Sequence, residues 1–428
     1  MRRLLDWLDD RSGLVSWMRW AMTHPVPPRT GWWYVFGSAT FIAFLLQVVT
    51  GIALATAYVP SSGQAYDSLK FITDQALMGR FLRGMHYFGS SAMVVLIGIH
   101  VARTYLMGAY KFPRELNWLT GAVLLLLTMA LAFTGQLLRW DQTAVWSVIV
   151  GAAQAGRVPV IGDEVARFLL AGDTVGGATL SRFFAFHVFF IPAIVFALVG
   201  LHLALVLRHG ISERPEKGVP VDKATYRQRY NEMLAREGVP FWPDAAWRDV
   251  VFGAGVVLMV AVLAIVVGPP EIGLPPDPSN LEAYPKPDWY FLWYFAVLAF
   301  TPHQWETFVI VVAPLLFGAI LLLVPLFNTG QRSVSHRPWA PLLVLMIVTV
   351  IAAFWAAGTR ASWSPDFAAK PLPAALSPDS LSLEARGARL FYEKGCEFCH
   401  QVAGQGGERG PDLSHVANRM SAQEIGLR

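Results

Sequence analysis

The sequence predicts an all-α integral membrane protein of seven spans, with a small helical domain behind the last of them. Three observations lead there. Hydrophobic residues make up 54% of the 428 and charged residues only 15%, against roughly 25% charge in a soluble domain. Seven stretches reach the length of about 20 apolar residues that a helix needs to cross a bilayer: 31–57, 78–106, 116–138, 183–207, 248–268, 305–327 and 338–358. Beyond them stands GCEFCH, residues 395–400, which holds Cys396 and Cys399, the two cysteines of the chain.

Each stretch is expected to be helical, because hydrocarbon offers no water to pair an open backbone N–H or C=O. The apolar run at 289–301 is too short to cross alone and is expected to start or abut the sixth span. The opening MRRLLDWLDDRSGLVSW has acids and tryptophans where a cleavable signal would have its apolar core, so the first span is expected to direct insertion. Charge sets the orientation. Arg2, Arg3, Arg11, Arg19 and Arg29 precede span one; Arg103, Lys111 and Arg114 follow span two; a basic run from Arg208 to Arg248 follows span four; Arg332 and Arg337 follow span six. Such segments stay cytoplasmic, which leaves the C-terminus outside. These clusters also account for a pI near 9.1, so no nucleic-acid partner is expected.

The terminal motif agrees with that orientation. Cys-x-x-Cys-His reads as a c-type haem attachment site, with thioethers at Cys396 and Cys399 and an axial imidazole at His400. In bacteria this attachment takes place on the outer side of the membrane. The expected location is therefore the bacterial inner membrane, N-terminus in the cytoplasm and haem c domain outside.

Span two carries His86 and His100, and span four carries His187 and His202. Separations of 14 and 15 residues give a rise of about 21 and 22 Å at 1.5 Å per residue, with a turn of about 100° per position. Each pair therefore stays on broadly one face. A lone histidine in a span is usually a satisfied polar or pathway residue; two such helices, running in the same direction, instead stack two bis-imidazole iron sites. The outer haem b falls to His86 and His187, the inner to His100 and His202. Gly37 and Gly51 on span one, and Gly121 and Gly135 on span three, are again 14 apart. Glycine is common at helix contacts in membranes; here the repeated period favours room for stacked porphyrins. Arg83 and Arg103, near the ends of span two, suit either haem propionates or interfacial anchoring.

These residues resemble the cytochrome b subunit of the cytochrome bc family over roughly residues 14–358. The 15-residue histidine separation and seven spans are similar to the bf-type branch, whose subunit is split into two chains that are fused here. The resemblance implies a quinol-oxidation motif at Pro287, Asp288, Trp289 and Tyr290, where the family has glutamate, with the carboxylate as proton acceptor. It also implies a pocket wall at GQLLRWDQTAVW, 135–146, in which Gly135, Leu138, Trp140 and Gln142 match while Gln136 and Arg139 replace the family's tyrosine and proline. Arg182 fits the arginine beside the outer haem. Val35 stands where the bf-type branch has a haem-binding cysteine, so no third b-side haem is expected. The inner quinone site is expected at the end of span four, near Arg208 and His209. The tail resembles a class I cytochrome c, with Met420 and His415 as candidates for the sixth ligand.

The expected organisation is a four-span dihaem bundle (1–215), a cytoplasmic linker (216–247), a three-span part with the quinol loop (248–360), a Pro/Ala-rich linker (361–379) and a cytochrome c-like domain (380–428). The implied activity is quinol:cytochrome c oxidoreduction with electron bifurcation and proton translocation. A Rieske-type iron–sulfur subunit is implied as a separate chain, because both cysteines are committed. A cytochrome c subunit or soluble cytochrome acceptor, the membrane quinone pool, the lipid bilayer and a homodimer complete the implied partners. Two other readings stay open: a dihaem anchor of another quinone-linked dehydrogenase or reductase, and a non-catalytic haem-bearing assembly module. PDWY and the three C-terminal spans count against the anchor.

Overall fold

The computed structural model describes residues 2–277, 286–327, 330–360, 382–393, 396, 400–406 and 412–426. Seven helices among them are long and apolar enough to cross a membrane: Phe36–Ala55, Gly79–Leu106, Glu115–Leu137, Gly177–His209, Phe241–Val266, Phe308–Leu326 and Trp339–Arg360. They coincide with the seven expected stretches. The chain divides into two compact units, Met1–Pro275 with Val311–Ala352, and Pro276–Ile310 with Ala353–Arg428. The expected segment 248–360 therefore contributes to both units.

The first unit begins with α1 (Arg2–Ser12) and α2 (Leu14–Thr23), then α3 (Phe36–Ala55), the first span. A short helix α4 (Ala65–Asp74) leads to α5 (Gly79–Leu106), and α6 (Glu115–Leu137) is the third span. Two helices, α7 (Gln142–Gly156) and α8 (Gly162–Leu170), precede the fourth span. Asp141 starts α7 by accepting from the Ala144 amide at 2.8 Å, filling one of the donors a helix N-terminus leaves open.

The fourth span is not one regular helix. It runs as α9 (Gly177–Ala185), a π-turn over Phe186–Phe190, and α10 (Ile191–His209). The Ile191 amide donates five residues back, to the Phe186 carbonyl. Pro192 follows at once and has no N–H for the usual ladder, which favours a wide turn just before it. The sixth span repeats the device, with a π-turn over Phe308–Val312 ahead of Pro314.

Lipid gives helices no hydrophobic reason to associate, so close packing of small residues must do it. Ala39, Ala43 and Phe44 of α3, Met93, Leu96 and Ile97 of α5, and Ile191 and Val195 of α10 form the buried centre, joined by Val256 of α12 (Ala246–Val266). The Phe44 ring meets Phe196 edge-on at 4.9 Å. A second cluster, with Leu137, Trp140, Ala144, Val148, Leu180 and Phe183 at its core, packs at the end of the bundle that carries His86.

Residues 216–247 were expected to be a linker; the structure finds an ordered element there. β1 (Pro25–Val26) pairs antiparallel with β2 (Val239–Pro240), and the His24 ring stacks on Phe241 at 5.4 Å. Between them α11 (Tyr226–Glu237) buries Tyr226 and Tyr230. The Tyr226 hydroxyl accepts from Arg114 and donates to Glu213, both at 2.7 Å. Close by, Lys111 and Arg337 are almost fully buried. Lys111 donates to the Gln331 carbonyl, and Arg337 to the carbonyls of Tyr105, Leu106 and Arg332. Desolvation, reinforced by Arg337 and Arg332, pushes the Lys111 ammonium down to about 8.

The second unit contains α13 (Leu292–Phe300), which was expected to start or abut the sixth span and is followed by residues 301–307 before that span begins at Phe308, and the distal end of α15 (Trp339–Arg360), which lies on α13 at Gly358. α14 (Ala313–Leu323) belongs to the first unit. The tail supplies α16 (Leu383–Glu393), a hairpin of β3 (Gln401–Val402) and β4 (Gln405–Gly406), and α17 (Ala422–Gly426). Ala403 and Gly404 both have positive φ, as a two-residue type I′ hairpin turn requires.

Candidate functional site

The bundle of the first unit brings the four span histidines together in two levels. At one level the rings of His86 and His187 oppose each other, centroids 6.3 Å apart and planes at 77°. Two metal–imidazole bonds of about 2 Å each, with the ring radii added, put opposed axial rings on the order of 6 Å apart. At the other level His100 and His202 line one cavity of about 460 Å³, together with Gly37, Gly121, Arg103 and Arg114. The pairing expected from helix direction is the pairing the fold makes.

The unequal spacing of the two pairs has a local cause. On a regular helix, 14 and 15 residues differ by about 100° of rotation, enough to turn one histidine out of line. The π-turn over Phe186–Phe190 begins just before His187 and takes up one extra residue. His187 and His202 thus keep the phase of His86 and His100.

Each expected glycine lies against one histidine. A Cβ on Gly37 would stand 3.0 Å from His100, on Gly51 3.2 Å from His86, on Gly121 3.4 Å from His202 and on Gly135 2.6 Å from His187. The atoms met first belong to the imidazoles, so the missing side chains make room for the histidine rings themselves.

Three threonines accompany these glycines. The ring Nδ1 of His86 lies 3.0 Å from Thr50 Oγ1, that of His202 2.8 Å from Thr120 Oγ1, and that of His187 3.3 Å from Thr134 Oγ1. Each hydroxyl spends its own proton on the carbonyl one turn back, of Leu46, Leu116 or Ala130. The oxygen must therefore accept, and Nδ1 carries the hydrogen. This tautomer leaves Nε2 unprotonated for a metal. Sequence reading passed over these threonines, although Thr-Gly recurs at 50–51, 120–121 and 134–135.

The arginines divide. Arg103 stacks on Tyr34 at 3.9 Å, lines the inner cavity, and has Nε and Nη2 buried without a protein partner. Two orphaned donors on a half-buried cation suit a carboxylate such as a haem propionate. Ring spacing, tautomer, cavity and guanidinium together fit haem. Arg83 is instead engaged by Thr73 at 3.2 Å and the Pro270 carbonyl at 2.8 Å. Arg182 turns to the Phe168 carbonyl and ring.

The inner cavity differs from its expected outline. Its wall at the end of α10 is Gly210, Ile211 and Ser212 rather than Arg208 and His209. Gly210 has φ of 70° and redirects the chain, while Arg114 takes the His209 and Gly210 carbonyls. The same cavity is lined by Ser38 and Asp249, Ser38 Oγ donating to Asp249 Oδ1 at 2.5 Å. They lie 211 positions apart, which no local pattern reveals. Val35 is buried in the same wall.

In the 135–146 stretch, Gln136 donates to Ser147 at 3.1 Å and Trp140 to the Ser62 carbonyl at 3.1 Å. Arg139 sits 3.7 Å from Asp141. This wall belongs to the first unit; Pro287–Tyr290 belongs to the second. There the Phe291 amide donates to the Asp288 carbonyl at 2.9 Å, closing a turn at the start of α13. Tyr290 Oη donates to Asp288 Oδ2 at 2.9 Å, and Lys286 Nζ holds the turn to the Thr359 carbonyl at 3.2 Å.

In the tail, Cys396 is half-buried, and the His400 amide donates to its carbonyl at 2.9 Å. Cys399 and the 361–379 linker lie outside the described residues. Of the sixth-ligand candidates, Met420 is half-buried and His415 exposed.

Comparison with known proteins assigns each part. The sequence model for "Cytochrome b/b6/petB" matches residues 21–210, "Cytochrome b(C-terminal)/b6/petD" residues 275–370, and "Cytochrome c" residues 384–428. Cytochrome b of Rhodobacter capsulatus is 32% identical over 371 residues, 80% of this chain and 82% of the relative. Cytochrome b of Allochromatium vinosum is 33% identical over 368 residues, 82% and 87% of the two chains. The menaquinol:cytochrome c reductase cytochrome b subunit of Bacillus subtilis is 38% identical over 221 residues, 50% of this chain and 98% of the relative. Among solved structures, a hyperthermophilic respiratory Complex III chain superposes with a TM-score of 0.71 at 26% identity, covering 91% of this chain and 96% of that one. With both cytochrome b parts in one polypeptide and a cytochrome c domain behind them, the chain belongs to the cytochrome b family.

Proposed function

We propose that the chain is the cytochrome b subunit of a quinol:cytochrome c oxidoreductase of the bacterial inner membrane, N-terminus cytoplasmic and haem c domain outside. Quinol is oxidised on the outer side, its two electrons divide between an iron–sulfur partner and the b-haem column, and quinone is reduced on the inner side with net proton transfer outward. The single observation that carries this reading is the opposition of His86 and His187 above a second histidine level in the same bundle.

When bound, the b haems supply one-electron transfer along the column and the haem c at Cys396, Cys399 and His400 an outward acceptor. The chain's own residues do the rest. His86 with His187, and His100 with His202, hold the irons; Arg103 holds a propionate of the inner haem. At the outer site Asp288 is the proton acceptor. Its Oδ2 already takes the Tyr290 hydroxyl, which leaves Oδ1 to the quinol hydroxyl, and Pro287 and Trp289 shape the turn. At the inner cavity Asp249, held by Ser38, supplies a proton to reduced quinone.

The complex includes a Rieske-type subunit, draws on the membrane quinone pool, reduces a soluble or subunit cytochrome, and is a homodimer. The test is inhibitor-sensitive, quinol-dependent reduction of a soluble cytochrome by the purified complex, together with a haem count. Two haems b to one haem c with turnover support the proposal; haem without quinol oxidation would return it to an anchor or assembly module.

A further inference from the structure

The four axial histidines are not held alike. At the outer level both imidazoles give their Nδ1–H to a threonine hydroxyl, His86 to Thr50 and His187 to Thr134. At the inner level His202 has the same cradle in Thr120. His100 does not. Its glycine, Gly37, is preceded by Phe36 where the other three have threonine. The helix α3 begins at Phe36, behind the 3-10 turn Trp32–Tyr34. The repeat that builds three cradles is cut off by the start of the helix at the fourth. Arg103 adds a half-buried cation on that side.

An imidazole whose distal N–H is hydrogen-bonded is a more basic ligand and pushes more electron density onto its metal. Such a push favours the oxidised iron and lowers its reduction potential, second-shell hydrogen bonding being one of the levers a protein has over haem. Resting on the two-level reading above, we propose that Thr50, Thr134 and Thr120 are positioning residues that grade the column. Two cradled ligands make the outer haem the weaker oxidant, one cradled and one uncradled ligand make the inner haem the stronger, and electrons run inward down that step. Phe36 is as much part of the device as the threonines, since it withholds a hydroxyl from His100.

The test is potentiometric titration of the b-haem absorbance in the purified complex, with haem content measured on the same sample. Thr50→Val and Thr134→Val are expected to raise the outer potential and leave the inner one in place; Thr120→Val is expected to raise the inner one alone. Thr50→Ser, which keeps the hydroxyl, is expected to titrate as the parent does, and Phe36→Thr to lower the inner potential. Unmoved potentials in the valine variants with both haems retained would overturn the inference, as would equal displacement by serine and valine. Loss of the outer haem from Thr50→Val but not Thr50→Ser would also overturn it, by making the hydroxyl a clamp on the ligand and not a control on potential. A parent complex without two haems b would sink the two-level reading itself, a result visible in the haem count before any titration.

Discussion

A Cβ on Gly135 would stand 2.6 Å from Cε1 of His187 and 3.1 Å from both of its ring nitrogens. The ring cannot swing aside without leaving Thr134, so alanine at this position must displace a helix or the ring. Overpacking of this kind costs about 1–3 kcal/mol. The four glycines form a graded series, from 2.6 Å at Gly135 through 3.0 Å at Gly37 and 3.2 Å at Gly51 to 3.4 Å at Gly121. Loss of haem b in the four alanine variants is expected in that order, with Gly121→Ala close to the parent. A pyridine haemochrome assay on each variant checks it; an inverted order would mean that the glycines serve packing elsewhere.

Removing one ligand is expected to empty one level only. His100→Leu should lose the inner haem b and keep the outer, and His187→Leu the reverse, because the two pairs sit at separate levels of the same two spans. Low-temperature absorbance of the split b band separates the two. A variant that loses both signals together would argue against independent levels.

Asp288→Asn keeps the size of the side chain and the contact with Tyr290 but removes the proton acceptor. Quinol-dependent cytochrome reduction is expected to fall on the order of 100-fold, while Asp288→Glu retains most of it. Equal rates in Asn and parent would remove the base from this turn.

Lys111 makes a prediction about pH. The buried ammonium sits at about 8 in the fold, against 10.5 for the free side chain. Between those values the unfolded chain binds more protons than the folded one, so this group's contribution makes stability rise with pH across the window and leaves it flat below. Thermal melts of the complex at pH 7.5 and about 9.5 should show this rise in the parent and less of it in Lys111→Met. An identical pH response in both would place the buried charge elsewhere.

The spans were legible because the bilayer allows only one solution to an apolar run of that length. The histidine pairing was legible because helix direction and spacing fix depth. What escaped notice depended on contacts between distant segments or on small side chains with double duty. Thr50, Thr120 and Thr134 are ordinary span residues until a ring nitrogen is seen beside each. Ser38 and Asp249 meet only once the first and fifth spans pack. The helix Tyr226–Glu237 hid in a charged join, since its stability comes from two tyrosines laid against Arg114 and the chain around Ile211. Arg182 illustrates the opposite limit: position relative to His187 suggested a partner, and the fold gave the side chain to Phe168.

The wide turn ahead of Pro192 has a consequence for how such a chain can change over descent. It works as slack in the fourth span: a residue gained or lost there alters the count between His187 and His202 without rotating either away from its level. Deleting a single residue from Val188–Phe190 would then tighten the coil to a regular helix and leave both levels aligned, so the spacing that separates branches of related chains need not mark a difference in what they hold.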